Sequence, residues 1–358
     1  MNILIVGSGI VGLSTALELA LAGYKVKIVT RNYEEGASWV AGGMLAPFSE
    51  GLTGDLLDFS RKSLSLFPDF KLKVEETSRG KIPYKSGCVL RLALSEEEKE
   101  RFEKLCSEYN SLGINFERFS EDKISLIQKN LSEEIRGGWF FPEEGDTDTE
   151  RLMDSLLIAL SNLGVRIEVD EIKEIYKEGK TVKELKGLKG IYSADFYVFA
   201  TGFWSGKLLK VPVFPVKGQI LKVKNPAPDK TLYAEGIYII PKENYVLIGA
   251  TSEERQTNPQ PTLFALNYLS CKALKLFPPI VEAEFISLKT GFRPATPDGK
   301  PIMELGNNYT ILTGFYRNGI MWTPIASKSV LEYLEKGVKS QYFELFSCRR
   351  FYNFEDDS

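Results

Sequence analysis

Glycines spaced for dinucleotide binding lie close to the start of the chain. Residues 7–12 read GSGIVG and follow a run at residues 2–6 that is apolar apart from Asn2. In a GxGxxG pattern the first glycine permits a tight turn, the second lets the backbone approach a pyrophosphate, and the third lets a helix pack on a strand. The sequence therefore predicts a dinucleotide site with contacts from Gly7, Gly9, Ile10, Val11 and Gly12.

The position that usually selects the adenosine ribose is unusual here. The second predicted strand, residues 26–29, is followed by Thr30 and Arg31, where an acidic residue usually binds the ribose. Thr30 can form one hydrogen bond with a ribose hydroxyl, whereas Arg31 suits a phosphate. FAD and NADP both stay open on this evidence.

Two further segments have the composition of cofactor contacts. Residues 195–202 (DFYVFATG) form an apolar strand ending in a turn of small residues, so Ala200 and Gly202 permit a second close approach to a dinucleotide. Residues 37–47 are mostly small and follow neither a helical nor a strand period. They predict a loop, which either fits closely against something flat or is simply flexible. The pairing of residues 195–202 with the glycine motif favours a flavin.

The composition excludes several kinds of chemistry. The chain has no histidine, which removes His-containing triads, His-ligated metals and a His general base. Its four cysteines form no CxxC pair, so we expect reduced thiols and a cytoplasmic protein, with no zinc site. The 45 Lys and Arg nearly balance the 48 Asp and Glu, which disfavours nucleic-acid and anionic-membrane partners.

The elements that position these residues begin with a βαβ unit, in which a helix from residue 13 to Gly23 joins the two apolar strands. Glu18 interrupts the apolar stretch, so we predict neither a signal peptide nor a membrane span. Ser95 and Glu98 form a capping-box pattern, and Thr323 followed by Pro324 predicts another helix start. The later predicted elements are helices at 95–113, 149–163 and 324–337, and strands at 165–169, 220–223, 237–240 and 245–248.

The motifs, in this order, resemble those of the D-amino acid oxidase family of flavoproteins, and most of all its thiamine-pathway glycine oxidases. The resemblance is spread over nearly the whole chain. It is carried by residues 7–12, 41–47 with Glu50, 200–205, 215–219, 291–294 with 297–299, and 314–319.

This resemblance implies an α/β fold, with a Rossmann-like FAD-binding domain and an interwoven α+β substrate domain built on an antiparallel sheet. We expect the FAD-binding domain to comprise residues 1–80, 146–210 and 290–340. The substrate domain then comprises residues 81–145 and 211–289, and residues 341–358 form a C-terminal tail.

The resemblance also implies a noncovalent FAD, because neither C-terminal motif contains the cysteine to which covalent sarcosine oxidases attach their flavin. Residues 319–323 and the helix after them are expected to direct backbone N–H groups at the flavin pyrimidine edge. The implied cofactor residues are Gly7, Gly9, Ile10, Val11, Gly12, Thr30, Arg31, Ser38, Ala41, Gly42, Gly43, Met44, Ile172, Ala200, Gly202, Trp204, Asn318, Gly319, Ile320 and Met321.

On the substrate side, Arg293 matches the family's carboxylate-binding arginine, and Tyr238 is expected to assist it. The main-chain carbonyl of Arg317 would accept a hydrogen bond from the substrate amine, and Ser252 would form one pocket wall. Catalysis needs no general base in this scheme, since a hydride passes from the neutral amine to the flavin and the protein mainly orients the substrate.

The implied reaction is oxidative deamination of glycine, sarcosine or a small D-amino acid to the imine or 2-oxo acid, with oxygen reduced to peroxide. Such an enzyme would supply dehydroglycine for thiamine thiazole synthesis. Ser252, Phe315 and Trp322 depart from the subfamily's usual Met, His and Leu, which leaves the preferred amino acid open. The rivals are a D-amino acid or proline-type dehydrogenase using a quinone or protein acceptor, an NADP reductase, and a non-catalytic FAD-binding subunit. A homo-oligomer is also possible.

Overall fold

The computed structural model describes residues 1–33 and 36–352. No helix in these ranges is long and apolar enough to cross a membrane. The strands are β1 (Asn2–Val6), β2 (Lys25–Thr30), β3 (Met44–Leu45), β4 (Tyr84–Ser86), β5 (Val89–Ala93), β6 (Glu117–Phe119), β7 (Gly137–Phe140), β8 (Gly145–Thr147), β9 (Arg166–Val169), β10 (Ile172–Glu178), β11 (Thr181–Gly187), β12 (Ile191–Tyr192), β13 (Phe196–Phe199), β14 (Phe214–Val223), β15 (Thr231–Ala234), β16 (Ile237–Pro241), β17 (Val246–Gly249), β18 (Glu253–Glu254), β19 (Phe285–Ala295), β20 (Ile302–Leu305) and β21 (Tyr309–Thr313). The α-helices are α1 (Ile10–Leu21), α2 (Gly54–Ser78), α3 (Glu96–Ser111), α4 (Glu121–Ile127), α5 (Thr149–Asn162), α6 (Ser205–Leu208), α7 (Leu263–Leu274), α8 (Gly319–Lys336) and α9 (Tyr342–Leu345).

One sheet presents the glycine-rich turn. Its strands lie in the order β20, β21, β13, β1, β2, β9, and β1 pairs in parallel with both β13 and β2. Helices α1, α2, α5 and α8 contribute to the core on one face, which explains why residues 3–5 are buried and wholly apolar. The carboxyl ends of β1 and β13 lie side by side, so the turns that follow them meet.

A second sheet faces the end of the first. Its strands follow the order β18, β14, β17, β16, β15, β5, β7, β6, and β19 also pairs with β14. The pairing is antiparallel, as predicted, except that β15 and β5 run parallel. The chain passes between the two sheets several times, which confirms the predicted α/β fold with interwoven parts. The domain boundaries stay a prediction, and the one at 289/290 falls within β19.

The last long helix begins earlier than the sequence predicted. Helix α8 starts at Gly319, and Thr323 lies inside it, donating its hydroxyl to the Gly319 carbonyl at 2.7 Å. The prediction of a start at Pro324 is wrong, because burial of the first turn against α2 outweighs the N–H that proline cannot donate. Trp322 shows this packing: it is 1% exposed and donates its indole N–H to Ser60 at 2.7 Å.

Helix α3 begins at the predicted cap, but only half of the capping box forms. The Ser95 hydroxyl accepts from the Glu98 N–H at 3.1 Å. The Glu98 carboxylate binds the Leu94 N–H at 2.9 Å and the Arg91 guanidinium at 2.8 Å. A buried arginine is a stronger partner for this carboxylate than the serine backbone.

A buried ion pair joins the end of β16, in the second sheet, to β8, which forms a small sheet with β3 and β4. Lys242 follows β16 and lies 2.7 Å from Asp146 of β8, with side chains only 3% and 4% exposed. The same ammonium donates to the Thr147 carbonyl at 2.9 Å, and Thr231 donates to Asp146 at 2.8 Å. Since β8 pairs with β3, this cluster supports the loop that precedes β3.

We predict that Lys242→Met destabilises the protein by roughly 3–5 kcal/mol, because it leaves the Asp146 carboxylate buried without its cation. Chemical denaturation at fixed FAD concentration would measure this change in the free energy of unfolding. The control is Arg101→Met, which breaks the exposed pair with Glu235 and is expected to cost less than about 1 kcal/mol. Equal effects of the two substitutions would contradict the structural importance of the buried pair.

Candidate active site

A single elongated cavity runs from the glycine-rich turn to Arg293, between the end of the first sheet and the face of the second. It brings together most of the residues that the sequence assigned to a cofactor. Three of them, Gly12, Asn318 and Met321, do not line it. Those that do are Gly7, Gly9, Ile10, Val11, Thr30, Arg31, Ser38, Ala41, Gly42, Gly43, Met44, Ile172, Ala200, Gly202, Trp204, Gly319 and Ile320.

The three motif glycines are required for different reasons. A Cβ on Gly7 would lie 2.4 Å from the Ala200 carbonyl oxygen, and one on Gly12 would lie 2.1 Å from the Gly7 carbonyl oxygen. These two glycines are therefore imposed by the protein's own packing. At Gly9 the nearest described atom is 3.7 Å away, in Ser38, so a Cβ would fit the protein and project at the cavity. Glycine is needed there only if a ligand occupies that space, which fits a bound pyrophosphate.

The loop before β3 also approaches the cavity with its backbone. Gly43 has φ of +82°, and a Cβ there would lie 2.1 Å from the Thr147 carbonyl oxygen. A Cβ on Gly42 would lie 3.1 Å from the Tyr238 ring. Thr149 donates its hydroxyl to the Ala41 carbonyl at 2.6 Å. The small residues thus let the loop fit closely between neighbouring elements, and it borders the cavity as predicted.

Thr30 and Arg31, at the far end of the cavity, both have partners within the chain. The Thr30 hydroxyl lies 2.8 Å from that of Ser8 and donates to the Asn32 carbonyl at 3.1 Å. The Arg31 guanidinium lies 4.2 Å from the centre of the Trp204 ring, a cation–π contact. Their contacts with a nucleotide stay predictions.

Arg293 is held against the second sheet at the other end of the cavity. It lies on β19 opposite Val216 of β14, and its Nη1 donates to the Thr251 carbonyl at 3.0 Å. A Cβ on Gly218 would lie 2.5 Å from the guanidinium carbon, so the glycine provides the space for this side chain. Burial lowers the pKa of Arg293, but a guanidinium stays charged at any ordinary pH.

Tyr238 lines the same part of the cavity, opposite Gly249 of β17. A Cβ on Gly249 would lie 2.4 Å from the tyrosine hydroxyl, so this glycine also makes room for a functional side chain. Burial raises the pKa of Tyr238 to about 12. The hydroxyl therefore keeps its proton and can donate a hydrogen bond to a carboxylate.

Glu50 is a site residue to which the sequence assigned no role. Its carboxyl lines the cavity together with Arg293 and Arg317. Burial raises its pKa, while the charge of Arg317, a hydrogen bond from Asn318 and the charge of Arg293 oppose that rise. Asn318, predicted to contact the cofactor, is thus a partner of this carboxyl. Glu50 accompanies the motif of residues 41–47, but the sequence around a glutamate does not indicate which distant arginines it will face in the folded protein.

The turn before α8 presents Tyr316 and Arg317 to the cavity. Tyr316 has φ of +44°, a left-handed conformation that is uncommon outside glycine and often found at functional sites. Ser252 is exposed and does not line the cavity, although its hydroxyl lies 3.4 Å from that of Tyr316. Of the three departures noted in the sequence, only Phe315 borders the cavity.

A Rossmann-like sheet, a glycine cradle and an adjoining charged pocket define an FAD-binding oxidoreductase. Residues 2–333 match the sequence model of the DAO family, described as FAD-dependent oxidoreductases. The chain belongs to this family, so FAD rather than NADP is its cofactor. None of the four cysteines, all within the described residues, lines the cavity, in agreement with noncovalent binding.

Curated relatives and solved structures carry more specific names. The chain is 31% identical over 361 residues to the bifunctional protein ThiO/ThiG of Trichormus variabilis, covering 98% of the chain and 55% of that protein. It therefore spans about half the length of that relative. It is 29% identical to the glycine oxidase of Geobacillus kaustophilus, covering 98% and 97% of the two chains. A crystal structure of glycine oxidase from that organism superposes with a TM-score of 0.92, at 28% identity and 97% and 98% coverage.

We predict that Gly9→Ala yields a folded protein with weakened FAD binding. The added Cβ would crowd the ligand and not the protein, at a cost of roughly 1–3 kcal/mol or about 5- to 150-fold in Kd. Flavin titration of apoprotein would measure the Kd, and the Tm of the apoprotein would report folding. FAD should be released by denaturation from the wild type.

The matched variants separate the two kinds of glycine. Gly12→Ala is expected to lower the apoprotein Tm, because its Cβ would meet the Gly7 backbone. Gly190→Ala, whose Cβ would find its nearest atom 3.8 Å away in Tyr192, should change neither property. A Gly9→Ala protein that bound FAD normally would show that the cofactor backbone does not approach this turn.

Proposed function

We propose that this protein oxidises glycine or another small amino acid, such as sarcosine or a small D-amino acid, to the corresponding imine, with oxygen as electron acceptor. The observation that carries the proposal is one cavity containing both the glycine cradle and the Arg293–Tyr238–Glu50 group. The glycine oxidase names of relatives that match along nearly their whole length support the choice of substrate.

In this proposal, Arg293 binds the substrate carboxylate through two parallel N–H groups, the geometry that a guanidinium favours. Tyr238 adds a hydrogen bond from its protonated hydroxyl, and the Arg317 carbonyl accepts from the amine. These contacts fix the substrate Cα relative to the cofactor. FAD supplies the two-electron acceptor, so the residues of the chain contribute mainly orientation.

Glu50 extends the sequence-based scheme with an acceptor for the amine proton. A free amino acid carries an ammonium group, whereas its oxidation requires the neutral amine. The Glu50 carboxylate shares the cavity with Arg293, so a substrate bound to that arginine can direct its ammonium at an anion. Because burial raises the pKa of Glu50, this carboxylate accepts a proton more readily than an exposed one.

The wider setting of the reaction is part of the same proposal. Relatives named bifunctional ThiO/ThiG support a role in supplying dehydroglycine for thiamine thiazole synthesis. Four free cysteines, two of them buried, support a cytoplasmic location. Assembly into a homo-oligomer stays a prediction.

The decisive experiment is anaerobic reduction of the purified yellow protein by a panel of amino acids. Glycine, sarcosine or small D-amino acids are expected to bleach the flavin, and L-enantiomers of chiral amino acids are not. Peroxide release under air would separate an oxidase from a dehydrogenase that needs a quinone or protein acceptor. Rapid bleaching by L-amino acids with none by glycine would refute the proposed substrate class.

We predict that Arg293→Ala lowers kcat/KM by about 30-fold to about 5,000-fold, the equivalent of roughly 2–5 kcal/mol for a buried charge pair. Arg293→Lys should restore only part of the activity, because an ammonium cannot make two parallel N–H bonds. The flavin spectrum should survive both changes, since the residue contacts substrate and not cofactor.

Gly218→Ala provides an independent test, because it leaves Arg293 in place but displaces its guanidinium. The misplacement is expected to raise the KM for glycine roughly 10- to 100-fold. An amine substrate lacking a carboxylate should be nearly insensitive to all three variants. Unchanged amino acid turnover in Arg293→Ala would exclude a role in carboxylate binding.

A further inference from the structure

Glu144 is a fully buried carboxyl that lies behind the active site, between β7 and β8. It is 0% exposed. Its Oε1 accepts hydrogen bonds from the N–H groups of Phe48 and Ser49, each at 2.7 Å, and Oε2 accepts from the Ser49 hydroxyl. One side chain from a distant segment thus satisfies three donors immediately before Glu50.

The segment it binds is a compact hydrogen-bonded turn. The Glu50 N–H donates to the Ala46 carbonyl and the Leu52 N–H to the Pro47 carbonyl, each at 3.0 Å. The N–H groups of Phe48 and Ser49 lie near the beginning of this turn, where backbone donors lack partners within the turn. Glu144 therefore caps the turn that carries Glu50.

The opposite end of the turn is held by α3. The Tyr109 hydroxyl donates to the Leu52 carbonyl oxygen at 2.9 Å and lies 3.2 Å from the Phe48 carbonyl oxygen. Phe48 is itself 0% exposed and packs on Phe141 with ring centres 5.2 Å apart. With both ends fixed, the direction of the Glu50 side chain is set by groups that do not touch the cavity.

We propose that Glu144 is a positioning residue, which caps the turn of residues 46–52 and so holds Glu50 at the place where the substrate amine binds. The inference rests on the proposed role of Glu50. Glu144 itself does not line the cavity and acts through the backbone of the turn.

The surroundings of Glu144 indicate which of its properties matter. Burial raises its pKa to about 8, and the nearby charge of Glu50 adds to the rise. The other titratable groups that its charge affects are Tyr109 on α3 and Tyr233 on β15. Hydrogen bonds from the Ser49 hydroxyl and from the N–H groups of Ser49 and Phe48 oppose this rise. A hydroxyl can accept as well as donate, so a glutamine whose Oε1 accepts from both N–H groups can place its amide NH2 against Ser49.

The test compares Glu144→Gln, Glu144→Ala and Glu144→Asp as FAD-bound proteins. Glutamine should keep the kcat/KM for glycine within about threefold of wild type. Alanine should lower it roughly 10- to 100-fold, the effect of a small misplacement near the reacting atoms. Aspartate should give an intermediate loss and provides the measurement if the alanine variant does not fold. Binding of acetate, which has a carboxylate but no amine, should be unchanged in all three.

A double-mutant cycle with Glu50→Gln separates this inference from the proposed function. If Glu144 acts through Glu50, its substitution should cause little further loss in the Glu50→Gln background. An equal loss in both backgrounds, or none in the wild-type background, would overturn the positioning role and leave that of Glu50 intact. Normal activity of Glu50→Gln alone would instead refute the proposed role of Glu50, and this inference with it.

Stability against pH gives a readout that does not depend on turnover. Burial raises the pKa of Glu144 to about 8 in the folded chain, above its ordinary value of 4.5. Its contribution to stability is therefore lost as pH rises through this window. The Tm of Glu144→Gln relative to wild type should increase from pH 5 to pH 8. A constant difference would show that the pKa of this carboxyl is not raised on folding, and would contradict its burial beneath the turn.

Discussion

The long antiparallel pairing of β14 with β19 is the interaction on which the active site depends. It sets the Arg293 guanidinium against Gly218 on the neighbouring strand. Beside it, Phe292 contacts Phe203, which follows β13 of the first sheet, with ring centres 5.5 Å apart. One strand pair therefore sets the position of Arg293 relative to the turn that follows β13.

The pocket at this junction contains charges of both signs. Arg293 and Arg317 face Glu50 across a partly buried space, where charges interact more strongly than in water. Such an arrangement suits a small zwitterion, because each end of the ligand meets an opposite charge. Under the proposed function, these charges would orient the substrate without a histidine.

The sequence predicted features that depend on neighbouring residues and missed those that depend on distant ones. β1, the glycine turn and α1 follow from hydrophobic period and backbone freedom, so the structure matches them closely. The start of α8 was misplaced, because burial by α2 decides it and local capping does not. Arg293 was identified by family resemblance, whereas the environment of Glu50 arises only when segments hundreds of residues apart are folded together.

The spare room beside Gly9 separates what the fold requires from what the ligand requires. Natural or laboratory selection for thermal tolerance of the apoprotein alone would hold Gly7 and Gly12 fixed and let Gly9 drift to alanine. A library screened in that way would accumulate stable proteins that bind FAD weakly. A screen that denatures each purified protein and measures the fluorescence of the flavin it releases would preserve all three glycines. The choice of screen therefore determines which glycines are kept.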